Sequence, residues 1–243
     1  MCTVTYIPKG EAQYILTHNR DEMPERSPQQ VTRDQIEEHR LIFPREPSKG
    51  GTWIASSDQD LTICILNGAF VSHERTPPYR RSRGLVALDF FSYSKASAFV
   101  DRYRFEGIEP FTMLICEGPQ LHELRWDGKK AHLNELDTQK PHIWSSAPLY
   151  KPEVHRKREQ WFDVWRQLHP QPELEEILDF HHNAGEGDPR TDVIMKRSEH
   201  FRTVSVTNVI RSEKKIDMKY NDLITSTFDD QSIELTSVSQ PSE

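Results

Sequence analysis

The sequence has few cysteines, no long apolar run and no excess of positive charge, and each lack closes off a class of function. Cysteine occurs three times in 243 residues, at Cys2, Cys64 and Cys116. An odd count without close pairing argues against a disulfide framework and for a reducing, cytoplasmic setting. Hydrophobic residues make up only 35% of the chain. Nowhere do roughly 20 of them run together, as a membrane-spanning helix requires. No integral membrane segment is therefore expected, and no basic leader with an apolar core opens the chain. A formal net charge of −7 gives no general attraction to phosphate backbones, so nucleic acid is not an expected partner. No Walker A or dinucleotide fingerprint occurs, and no internal repeat is visible.

What is present is a succession of short periodic segments. Residues 2–7 and 13–18 read as two strands around a Pro-Gly turn. The polar stretch 23–50 reads as an irregular arm or, at 31–40, a short helix. Residues 50–57 and 61–70 read as a hairpin turning at 58–60, and 73–84 as a basic loop. Two short helices broken near 92–94 are expected in 84–103. Strands are expected at 111–118, 120–128, 130–136 and 142–146, helices at 151–168 and 172–182, and a further strand at 201–210. Val154, Trp161, Phe162, Trp165 and Leu168 repeat at helical spacing and read as packing. The Ser/Thr/Gln-rich tail from about 225 reads as frayed. Strands, helices, strands, helices, strands in segregated runs indicate an α+β chain with mainly antiparallel sheets. The whole span 1–243 is expected to be one domain with a polar tail.

The opening "MCTVTYIPKGEAQYILTHNRDE" holds the chemistry. Folded as a hairpin about Lys9 and Gly10, paired numbers sum to 19 or 20, placing Cys2 opposite Thr17 or His18. Asn19, Arg20 and Asp21 then follow just beyond that end, at about 3.3 Å per residue. A thiol, a guanidinium and a carboxylate meet at one end of one sheet. A small second residue suits methionine aminopeptidase, so the mature chain is expected to begin at Cys2. Its α-amine, with an ordinary pKa near 7.7–8.0, is able to take the thiol proton. Exposure, that amine and Arg20 should make Cys2 more reactive than Cys64 and Cys116, which sit in apolar runs as buried cysteines do.

"MCT" followed by "THNRDE" resembles the NRDE protein family, which includes the transport-and-Golgi-organisation proteins. The likeness continues through "GGTW" (50–53), "LNGAF" (66–70), "SRGLVALDF" (82–90) and "FRTVSVT" (201–207). That family is similar to the N-terminal-nucleophile (Ntn) hydrolases of the choloylglycine hydrolase and penicillin V acylase type. The resemblance implies a four-layer αββα sandwich and cleavage of a small carbon–nitrogen amide bond through a thioester. It implies Cys2 as nucleophile, and Arg20 and Asp21 as the pair that orients substrate and holds the α-amine. Asn67 matches the oxyanion-hole asparagine, where a neutral amide donor stabilises developing charge without titrating. Asn19, Arg83, Ser146 and Arg202 are the implied substrate-side residues. Ser146 stands in "SSAP" where the hydrolases have an asparagine, and Arg202 is the match to their late arginine. No metal or organic cofactor is called for. Family members are also associated with trafficking and with lipid or haem handling, so a non-catalytic binding protein on the same fold is the rival reading.

Each candidate also has a plainer role. Arg20 and Asp21 would serve as an ion pair at a strand end, and Asn67 as a turn residue before Gly68. Arg80, Arg81 and Arg83 either line a pocket for an anionic substrate or lie on a solvated loop. His181, His182 and Asp192 do not form a metal set, because adjacent residues on a helix point in different directions.

Overall fold

The computed structural model describes residues 2–148 and 151–236. The chain opens with an antiparallel hairpin, β1 (Cys2–Gly10) and β2 (Gln13–Glu22). A second hairpin follows, β3 (Val31–Ile36) and β4 (His39–Pro44), and then a third, β5 (Ile54–Ser57) and β6 (Leu61–Asn67). Two short helices, α1 (Arg83–Asp89) and α2 (Ala96–Arg102), are separated by a 3-10 turn at Phe90–Ser92. Next come β7 (Phe111–Glu117), β8 (Gln120–Trp126), β9 (Ala131–Leu136) and β10 (His142–Ser145). The helices α3 (Pro152–Leu168) and α4 (Leu174–Asn183) lead to β11 (Lys196–Ser198), β12 (Phe201–Arg211), β13 (Lys215–Asp222) and β14 (Thr227–Glu234).

The strands form two antiparallel sheets. One runs β10-β1-β2-β12-β13-β14, with β11 added on β12; the other runs β3 to β9 in sequence order. Alternation sorts β1 between two layers. Cys2, Val4 and Tyr6 point into the core between the sheets, beside Trp53, Cys64 and Leu66 of the second sheet. Ile7 and Ile15 point the other way, onto Phe162 and Trp165 of α3 and Ile177 and Phe180 of α4. On the far side, Val86, Ala87 and Phe99 of α1 and α2 pack on the second sheet. The result is the α+β, four-layer αββα sandwich that the resemblance implies.

Three local readings change. Residues 31–40 are a hairpin turning at Glu37 (φ 50°), not a helix or arm. Leu41, Ile42 and Phe43 are buried in β4, while β3 is a largely solvent-facing edge strand whose charges conceal its period. The polar segment after 225 supplies β14 up to Glu234, since backbone pairing with β13 needs no apolar side chain. The first hairpin is paired two or three residues further along than its turn suggested. Residue numbers sum to 22 from Cys2 to Pro8, and the register shifts between Pro8 and Gly10. Positive φ at Gly10 and Ala12 shapes that turn. A two-residue shift keeps every side chain on its face but moves Arg20 directly opposite Cys2.

Candidate active site

β1 begins at the floor of a cleft of about 640 Å³ between the two sheets, lined by Cys2, Arg20, Asp21, Trp53, Asn67 and Arg83 among others. Its volume lies within the range of small-ligand sites. The wall opposite Cys2 depends on a close backbone contact. Gly51 packs against Gly84, and a Cβ added at Gly51 would fall 2.5 Å from the Gly84 carbonyl carbon. The Thr52 N–H donates to the Gly84 carbonyl across the same contact at 3.0 Å. The "GGTW" and "SRG" segments are thus two halves of one junction.

Cys2 lines this cleft yet is only 4% exposed, which corrects the expectation of an exposed thiol. Burial pushes the thiol up from its ordinary value, and the Asp21 carboxylate adds to this, while the Asp21 backbone N–H directed at the sulfur opposes it. Burial is the largest influence, so the resting group is a thiol rather than a thiolate. Cys64 and Cys116 are buried deeper and are held higher, Cys116 at about 12.

Ser146 clamps the strand start from both sides. The Cys2 N–H donates to Ser146 Oγ at 2.9 Å, and the Ser146 N–H donates to the Cys2 carbonyl at 3.0 Å. The residue that replaces an asparagine in the resemblance therefore fixes the Cys2 nitrogen. Met1 lies outside the described residues.

Arg20 is buried with its guanidinium 4.0 Å above the Trp53 ring. It donates to the Arg26 carbonyl at 2.8 Å and lies 3.8 Å from Glu22. Asp21 accepts from Thr203 Oγ1 at 2.7 Å. Across the cleft, Glu109 gathers Arg83 (3.2 Å), Arg75 (3.2 Å) and His73 (3.3 Å). Burial brings the Arg83 guanidinium down to about 10, with Glu109 opposing the fall. Asn67 ends β6 on the cleft wall, and its turn is set by Gly68 (φ 77°), whose N–H donates to the Pro110 carbonyl at 2.9 Å.

Asn19 and Arg202 lie elsewhere. Asn19 is on the opposite face of β2, where its amide donates to the carbonyls of His181 (2.8 Å) and Val193 (3.2 Å) and its Oδ1 meets His181 Nδ1 at 2.7 Å. Arg202 pairs in register with Glu22 but does not line the cleft; its neighbour Phe201 does. Arg81 lines the cleft rim and is bound to Asp89. Sequence reading missed Glu109, which carries no motif, and the Arg26 pairings to Glu22 (2.7 Å) and Glu46 (3.2 Å). It also missed Trp53 as the partner of Arg20, although that residue closes the "GGTW" segment. His181 is buried and bonded to Thr5 and Asn19, and no group of three metal-binding side chains occurs among the described residues. Nor is any helix there long and apolar enough to cross a membrane.

Two antiparallel sheets between helices, with a cysteine that starts an inner strand and lines a cleft, define an Ntn-hydrolase-like fold. Two solved structures of variant conjugated bile acid hydrolase from Clostridium perfringens share it. Their TM-scores are 0.60 and 0.61 at 8% identity, over 96% of this chain and 92% of theirs. An N-acylethanolamine-hydrolyzing acid amidase ortholog from Caenorhabditis elegans is similar at TM-score 0.47 and 10% identity, over 86% of this chain and 92% of that one. No curated protein matches significantly in sequence. The model of the Transport and Golgi organisation 2 family matches residues 1–227, and the chain belongs to that family.

Proposed function

We propose that this protein is an N-terminal-cysteine amidohydrolase or acyltransferase acting on a small acyl amide through a thioester. The observation that carries the reading is the placement of Cys2. It starts a central strand, faces Arg20, is clamped at its nitrogen by Ser146, and opens onto a cleft shared with Asn67. Once Met1 is removed, the Cys2 α-amine takes the thiol proton and the sulfur attacks the amide carbonyl. Asn67 and a backbone N–H stabilise the oxyanion, a contribution typically worth about 2.7–4 kcal/mol per donor. The amine returns the proton to the leaving nitrogen, and water or a second amine then releases the acyl group. Because the resting thiol is protonated, transfer to the amine must accompany attack, and Arg20 stabilises the sulfur as it gains charge. The bile acid hydrolase that shares the fold supports a conjugated amide as the substrate class. A single-domain, cytoplasmic protein is part of this reading.

A second reading is favoured by the burial of Cys2 and its raised pKa: the cleft binds a small acyl or lipid ligand without turnover. Intact mass of the purified protein, before and after incubation with N-acyl amides, separates the two. Loss of Met1 and an acyl adduct on Cys2 support the enzyme. A retained Met1, with ligand bound and no adduct, supports the binding protein.

A further inference from the structure

Behind Cys2 lies a group of polar side chains that the chemistry above leaves unused. On the inner face of the first sheet, Cys2, Arg20 and Ser205 form one cross-strand row. Val4, His18, Thr207 and Tyr220 form the next. His18, Ser205 and Thr207 are fully buried, and Trp53 of the facing sheet covers them, its ring 6.3 Å from those of His18 and Tyr220. Among the described residues, neither ring nitrogen of His18 has a hydrogen-bond partner, nor does the Thr207 hydroxyl or Trp53 Nε1, while the Ser205 hydroxyl interacts with that of Tyr220.

Buried polar atoms are almost always paired, with protein or with ordered water. Here four such atoms lie on or against two adjacent cross-strand rows, where opposed residues on antiparallel strands stand about 4.5–5.5 Å apart and diagonal ones about 7–8 Å. Their chemistry is complementary to water. Trp53 only donates, the hydroxyls do both, and a neutral imidazole offers one donor and one acceptor. Burial and the Arg20 charge hold His18 well below its ordinary pKa, so it is neutral. A water needs two to four such partners.

We propose that His18, Thr207, Ser205 and Trp53 form an internal water site one row behind Cys2, and that His18 positions from it the water that discharges the acyl-thioester. The delivery half rests on the hydrolase reading; the water site does not. In the discharge step the water oxygen bonds to the acyl carbon. The carbon–sulfur bond breaks with its electron pair going to sulfur. One water proton passes to the Cys2 α-amine and then to the sulfur, leaving a carboxylic acid and the free thiol.

A high-resolution crystal structure should show ordered water hydrogen-bonded to His18 and Thr207; imidazole nitrogens bonded directly to protein instead would overturn the site. Thr207→Val keeps the shape and removes a hydroxyl. It should lower Tm, because a bound water loses a partner, whereas a higher Tm would mean a dry pocket and defeat the proposal. For delivery, Met1-free protein is treated with p-nitrophenyl acetate and acetyl-Cys2 is followed by intact mass. In Thr207→Val the adduct should form at the wild-type rate and persist at least about tenfold longer, with Thr207→Ser restoring its decay. An unchanged lifetime overturns delivery alone. Complete absence of acetyl-Cys2 overturns delivery together with the hydrolase reading, and the density and Tm still decide the water site.

Discussion

Cys2 and Arg20 stand directly opposite each other across β1 and β2, so both side chains leave the same face of the sheet. Arg20 is held there by Trp53 and the Arg26 carbonyl, with the Glu22 carboxylate 3.8 Å away, and its charge is felt by both Glu22 and the Cys2 sulfur. With limiting iodoacetamide, Cys2 should be labelled before Cys64 and Cys116, at a rate that still rises with pH above 8.5. Arg20→Gln should slow Cys2 labelling at pH 8 by about tenfold, the effect of one pKa unit from a lost neighbouring charge. Peptide mapping across pH reads both; equal labelling of all three cysteines would remove Cys2 as nucleophile.

Asn67 separates catalysis from folding. Asn67→Ala should reduce turnover by roughly 10²–10³-fold, as for a lost oxyanion donor, while Cys2 alkylation stays near the wild-type rate. A turn residue before Gly68 would instead cost about 1 kcal/mol of stability and leave turnover per folded molecule intact. Kinetics and thermal unfolding on the same preparation discriminate the two.

The Gly51–Gly84 contact makes a stability prediction that needs no substrate. Backbone meets backbone there, so no side chain can rotate away from an added methyl. Gly51→Ala should cost about 1–3 kcal/mol, the usual range for overpacking. For a chain of this size that lowers Tm by roughly 2–4 °C per kcal/mol. An unchanged Tm would show that the wall of the cleft yields easily.

Acid should destabilise the protein from about pH 6.5 downward. Burial holds His181 at about 3 and His18 well below its ordinary value. Between 6.5 and 3 the unfolded chain binds a proton at His181 that the native state does not. This stability is therefore complete above 6.5 and is lost as pH falls. The slope is about 1.4 kcal/mol per pH unit for each histidine. Urea midpoints between pH 7.5 and 4.5 measure it, and His181→Gln should flatten the dependence.

Glu46 acts at lower pH. Burial tends to raise its carboxyl, but hydrogen bonds from Ser48 and Arg26 overcome this and bring it to about 2. Its stabilisation is present above the ordinary carboxylate range near 4.3 and disappears as pH falls through 2. Glu46→Gln should lower stability at pH 7 and narrow the gap to wild type at pH 2, as denaturant midpoints at the two pH values would show.

Local pattern determined much of this protein. The alternation of Cys2 to Ile7, the apolar runs around Cys64 and Cys116, and the aromatic stripe of α3 each state their period in a few residues; the order of those elements implies an α+β chain with antiparallel sheets, and the family resemblance implies the αββα class. The stretch from Cys2 to Asp21 likewise names its chemistry, because a short hairpin keeps thiol, guanidinium and carboxylate at one end whatever its turn. Long-range packing decided the rest. Whether β1 and β2 pair at a sum of 19, 20 or 22 depends on a turn distortion at Gly10 and Ala12, and that choice set Arg20 against Cys2. Asn19, adjacent to Arg20 in sequence, faced the helices instead, because successive strand residues point to opposite layers. Trp53 and Glu109 reach the cleft, and Ser146 reaches the Cys2 nitrogen, from strands and loops far along the chain. The burial that keeps the Cys2 thiol protonated comes from the second sheet. Desolvation is a property of everything packed around a group, and no local stretch of sequence contains it.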